Sequence, residues 1–241
     1  MIKQLLAVVF LAGGLHSASW ANEDLIRKGV EAFIGAELKV DAISPAGFLG
    51  LYEVRVVTPQ GIRILYTDAQ AQYFFRGNVI AAKDKSDLTE ARLRKANAIR
   101  FDDLPLPQAL KIVRGKGTRS LAYFADPRCQ YCKRFDQELA QLDDVTVYVF
   151  LLPIIAKDSA AVSTAVWCSP DRAKAWQDLM LKNIAPAGSA DCDTPLDKNI
   201  ALSRKYGIKG TPTLVFADGQ RVSGGMPAAR LSQLLDEVNA R

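Results

Sequence analysis

Two cysteines separated by two residues, Cys129-Gln130-Tyr131-Cys132, constrain this chain more than any other feature. They fall where the hydrophobic pattern changes. Residues 119–125 (RSLAYFA) read as a strand, Asp126-Pro127-Arg128 breaks it, and 129–142 has helical spacing. A thiol must ionise to attack another sulfur. A helix N-terminus offers unpaired N–H groups and the positive end of the helix dipole. Arg128 precedes the first cysteine, Lys133 and Arg134 follow the second, and no acid lies between Asp126 and Asp136. Each of these favours the thiolate. The spacing brings both sulfurs within bonding reach, so Cys129 is expected to attack as nucleophile and Cys132 to resolve the mixed disulfide.

Two other uses of such a motif compete. It could be half of a zinc site, which needs two more ligands, or a permanent staple. The leftover cysteines, Cys168 and Cys192, do not form a second such motif, and the flanking cations suit a redox site better than a staple. Cys168 and Cys192 each flank a helical stretch and read as a structural disulfide, with a second redox pair as the sharper alternative.

The first residues point to export. Lys3, the apolar run 5–15 and Ser19-Trp20-Ala21 fit a cleaved secretory signal over 1–21. The run is shorter than the roughly 20 residues a bilayer span takes. Cleavage would remove His16, the single histidine. The mature chain would then offer no Ser-His or Cys-His pair and no His-ligated metal. The net charge of +5 is spread along the 241 residues without a basic run or basic-aromatic array, which argues against nucleic acid as a partner.

Residues 23–35 read as a helix closed by Gly35. Short β-prone runs follow at 51–57, 62–67 and 72–75, separated by turn residues. A small antiparallel meander with one helix is expected over 22–82, marginal as an independent core and helped by self-pairing into a dimer. Residues 83–100 are highly charged with a thin apolar stripe, as suits a linker helix, with Asp87 and Glu90 at its start. From 101 to 241 the pattern is α/β. Residues 145–152 (VTVYVFLL) are expected to form a central strand buried on both faces. Helices follow at 158–168, after Ser169-Pro170 and after Thr194-Pro195, then a hairpin about Asp218-Gly219 and a last helix over 228–240.

The run Phe124-Ala125-Asp126-Pro127-Arg128-Cys129-Gln130-Tyr131-Cys132-Lys133 resembles the active site of the DsbC/DsbG family of periplasmic disulfide isomerases. Gly210-Thr211-Pro212-Thr213 resembles the loop that faces that site in the thioredoxin superfamily, where the proline is cis. The resemblance covers nearly all of 22–241. It implies an α+β N-terminal dimerisation domain, cystatin-like, joined by a linker helix to an α/β thioredoxin-like domain with a helical insertion. It implies substrate contacts from Thr211, Pro212, Gln130 and Tyr131, and a second, structural pair at Cys168 and Cys192. It implies a periplasmic homodimer that rearranges misoxidised exported proteins, is kept reduced by a membrane thiol donor of the DsbD type, and needs no metal or cofactor beyond its own redox-active disulfide. Gln130 stands where this family usually has glycine. The residues between the cysteines tune the potential, so the same site could serve a monomeric thiol oxidase or a sulfenic acid reductase. A protein acting mainly as a chaperone is a further alternative. Thioredoxin itself keeps a buried aspartate six residues before its first motif cysteine. Here that position is Tyr123.

Overall fold

The computed structural model describes residues 17–35, 38–59, 61–187 and 192–240. The expected leader falls mostly on residues 1–16, outside those described. Ser17 already lies in the first helix, α1 (Ser17–Ile34). The chain divides into two compact units, Met1–Leu93 and Arg94–Arg241.

In the first unit α1 packs on an antiparallel sheet of β1 (Lys39–Pro45), β2 (Tyr52–Thr58), β3 (Gly61–Thr67) and β4 (Phe74–Phe75), in that order. Ile26 and Val30, one helical turn apart and fully buried, meet Val54, Val56 and Leu65. The other sheet face buries Ile64 and Tyr66 with Ala46. There the Tyr66 hydroxyl lies 2.6 Å from Thr89 Oγ1, and Arg92 donates to Glu53 (2.7 Å) and to the Ala46 carbonyl (2.9 Å). Thr89 and Arg92 belong to α2 (Leu88–Ala96), the helix within the charged stretch 83–100. Asp87 receives the Glu90 N–H at 2.8 Å, as the start of a helix requires. Strand β1 has no counterpart in the sequence reading. A register shift between Val40 and Ala42 breaks its two-residue alternation, which hides it.

The second unit is built on a five-stranded sheet of order β5-β7-β6-β8-β9. Its strands are β5 (Leu110–Arg114), β6 (Arg119–Ala125), β7 (Val145–Leu151), β8 (Thr213–Phe216) and β9 (Arg221–Ser223). Only β6 and β7 run parallel among these pairs. They are the centre of the sheet, and alternation along β6 feeds two cores. Leu121, Tyr123 and Ala125 face one, and Ala122 and Phe124 face the other. Strand β5 is also unread in the sequence. It is an antiparallel edge strand that buries Leu110 and Ile112 alone, too short a pattern to stand out.

Helix α3 (Gln130–Leu139) follows β6. Helices α4 (Ser159–Trp167), α5 (Arg172–Lys182) and α6 (Leu196–Lys205) form the insertion between β7 and β8, and α7 (Ala228–Asn239) closes the chain. This is the expected sequence of an α+β unit and an α/β unit with inserted helices. Two helix starts differ from expectation. Asp171, not Ser169, caps α5 by accepting the Lys174 N–H, while the Ser169 hydroxyl turns back to the Ala165 carbonyl at 2.8 Å. Thr194 does not cap α6, whose preceding residue is Pro195 with no side-chain cap.

Candidate active site

The loop between β6 and α3 is held by one buried side chain. Asp126 accepts hydrogen bonds from the Arg128 N–H (2.7 Å), the Ile154 and Ile155 N–H groups (2.7 and 2.8 Å) and the Ser159 hydroxyl (2.8 Å). It ties the approach to α3 to the segment after β7. Cys129 then takes the N-cap position. Its extended backbone opens α3, and its sulfur accepts the Cys132 N–H at 3.4 Å. The Cys129 thiol donates to the Thr211 carbonyl at 3.2 Å. The Thr211–Pro212 peptide is cis. So the structure brings Cys129, Cys132, Thr211 and Pro212 together, with Gln130 and Tyr131 exposed on the first turn of α3. Tyr131 is 69% exposed, and Ile154 and Ile155 beside the Asp126 loop are also exposed.

Both motif cysteines are free thiols, Cys129 4% exposed and Cys132 fully buried. Burial pushes the Cys132 thiol well above the ordinary thiol range, although the Asp126 N–H and the Thr211 hydroxyl favour its ionised form. The flanking cations do not take the role expected of them. Arg128 pairs with Asp158 at 2.6 Å, Lys133 Nζ donates to Asn183 Oδ1 at 2.8 Å, and Arg134 lies over the Tyr131 ring. Arg128 and Lys133 reach acceptors brought near by α4 and α5, and Arg134 stays over its own helix. The group that meets the Cys129 sulfur is therefore the helix N–H, not a side-chain cation. Between these pairs a groove of about 420 Å3 opens, lined in part by Val162, Leu179 and Pro186.

Cys168 and Cys192 are joined in a disulfide between the end of α4 and the approach to α6. Trp167 Nε1 donates to the Asp193 carbonyl nearby, at 3.1 Å. Among the described residues no cluster of three or more potential ligands could hold a metal, and no helix is long and apolar enough to cross a membrane.

One acid went unread. Asp136 is buried on the face of α3 that carries Cys132, Phe135 and Leu139. It accepts from the Tyr123 hydroxyl at 2.9 Å and from Trp176 Nε1 at 3.0 Å. Burial pushes its carboxyl up to about 7, while the two hydrogen bonds and Arg114 hold it from rising further. Burial, then the Asp136 charge, then Cys132 hold the Tyr123 hydroxyl well above its ordinary range. The sequence carried a signal for this: a carboxylate set within an apolar helical stripe.

The family model for a thioredoxin-like domain matches residues 106–239, and that for the disulfide bond isomerase protein N-terminal domain matches residues 17–90. The chain is 40% identical over 192 residues to the probable thiol:disulfide interchange protein DsbC of Bordetella pertussis, which covers 80% of this chain and 64% of that protein. It is 30% identical over 247 residues to the thiol:disulfide interchange protein DsbC of Salmonella typhimurium, covering 98% of this chain and 97% of that one. The chain thus spans 64% of the length of the Bordetella relative but nearly the whole of the Salmonella one. Among solved structures, the disulfide interchange protein from Neisseria gonorrhoeae superposes with a TM-score of 0.55 and 41% identity, over 56% of this chain and 99% of that chain.

Proposed function

The chain belongs to the DsbC family of thiol:disulfide interchange proteins, and from that membership and the site geometry we propose that it is a periplasmic protein disulfide isomerase. The observation that carries the reading is the division of labour between the two sulfurs. Cys129 caps α3 with 4% of its surface exposed, against the carbonyl that precedes a cis proline, and Cys132 is sealed one turn behind it with none. Reduced Cys129 attacks a wrong disulfide in an exported protein. A Cys129–substrate bond forms and a substrate thiol is released. That thiol then attacks elsewhere in the substrate, or Cys132 attacks Cys129 and frees the substrate reduced. Tyr131, Ile154 and Ile155 offer apolar contact to an unfolded client. Thr211, Pro212 and Gln130 complete the peptide-facing rim. The protein acts as a homodimer assembled through its first unit, and a membrane thiol donor of the DsbD type returns the Cys129–Cys132 pair to the reduced state. That pair is the only redox group the reaction needs.

The test is reactivation of a scrambled multi-disulfide protein by the pre-reduced chain, beside its Cys129→Ser variant. Reactivation beyond that given by an equal concentration of small thiol, lost in the variant, is the expected result. Rates that only track added thiol would assign the site to an oxidase or reductase instead.

A further inference from the structure

The exchange steps above leave Asp136 without a task. A carboxyl enclosed among Phe135, Leu139 and Trp176 costs free energy, and an apolar side chain would fill the same place by packing alone. Instead β6 and α5 each supply it a donor, Tyr123 and Trp176. Tyr123 is itself fully buried. Its hydroxyl lies 3.3 Å from the Cys132 carbonyl oxygen and also meets the Cys132 side chain. The titratable and charged groups that face Asp136 are thus Tyr123 from β6 and Arg114 from β5, with the neutral Trp176 from α5, and Cys132 from α3 meets Tyr123 in turn.

We propose that Asp136 is a positioning residue that accepts, through the Tyr123 hydroxyl, the proton Cys132 gives up when it resolves a mixed disulfide. The inference rests on the thiol-exchange reading above and deepens it. In the step, the Cys132 sulfur attacks the Cys129 sulfur and the Cys129–Cys132 bond forms. The bond from Cys129 to the substrate sulfur breaks, and its electron pair leaves on the substrate. As the Cys132 proton moves to the Tyr123 oxygen, the Tyr123 proton moves to Asp136 Oδ2. The two cysteines are oxidised, the substrate sulfur is reduced, and no other reactant enters.

Cys132 needs such an acceptor because burial holds its thiol protonated. Asp126 is a poor alternative, since its two oxygens already take four donors. Each Asp136 oxygen takes one. A carboxyl shifted to about 7 is ionised in a useful fraction at neutral pH and holds a proton once given one.

Dithionitrobenzoate separates the two steps in one experiment on the full chain. Attack by Cys129 releases a first equivalent of coloured thiolate, and resolution by Cys132 releases a second. Asp136→Asn should leave the first phase unchanged and slow the second about 100-fold near neutrality. It should also abolish the rise and levelling near pH 7 that the parent's second phase shows as Asp136 ionises. Tyr123→Phe keeps the ring packing and should give the same two changes. It decides the matter if Asp136→Asn loses the first phase through misfolding. Second-phase rates and pH profiles within twofold of the parent would overturn the relay while leaving the exchange reading intact. A parent that yields no first equivalent would overturn that reading, and the relay with it.

Discussion

Two buried aspartates, ten residues apart in sequence, have opposite surroundings. Asp126 is saturated by donors from three segments, so truncation strands all four at once. Asp126→Ala is expected to cost about 3 kcal/mol, read as a drop in the urea midpoint. Asp136 has fewer donors, and burial raises its carboxyl above its unfolded value of 3.8. The stability tied to the neutral form is complete below about pH 4 and is lost as pH rises through about 7. Asp136→Asn should therefore gain on the parent as pH rises, by up to about 4 kcal/mol at pH 8 and by little at pH 4. Equal denaturation midpoint differences at pH 4 and pH 8 would contradict this. At this scale Cys129 and Cys132 were readable from their spacing at a helix start, and Thr211 and Pro212 from the resemblance of their loop to the one that faces such a site. The pairing of Tyr123 with Asp136 was not readable, because it joins β6 to α3 across the core. The cations Arg128 and Lys133 misled for a related reason: their tips reach Asp158 and Asn183, groups far along the chain.

Among the elements, those with a strong pattern or a turn signal were legible, and the edge strands β1 and β5 were not. The central strand β7 and the helix α3 announce themselves by an unbroken apolar run and by a motif at a helix start. Strand β5 buries only two side chains, and a register shift interrupts the alternation of β1. The inserted helices depend on a tie the hydrophobic period does not reveal. The Cys168–Cys192 bond spans a sequence separation of 24 between α4 and α6. Replacing both by alanine should lower stability by about 3 kcal/mol on the chain-entropy account, seen as a lower Tm. The rate at which Cys129 releases its first equivalent of coloured thiolate should not change. A matching loss of that rate would mean the insertion shapes the site.

For the molecule as a whole, the second unit has its own sheet and cores. On the proposed homodimer, residues 94–241 expressed alone should keep the Cys129 chemistry but sediment as a monomer where the full chain sediments as a dimer, and reactivate scrambled protein more slowly than the full chain. Identical reactivation would leave the first unit without a part in the activity. A last consequence follows from the shifted carboxyl of Asp136. The described residues contain no histidine, the side chain that ordinarily titrates near neutrality, and the raised carboxyl of Asp136 stands in that range in its place. Between about pH 6 and 8 one interior proton changes hands there. Mild acidification would thus slow turnover from within the fold. An infrared titration would see that carboxyl band rise as the pH falls through about 7.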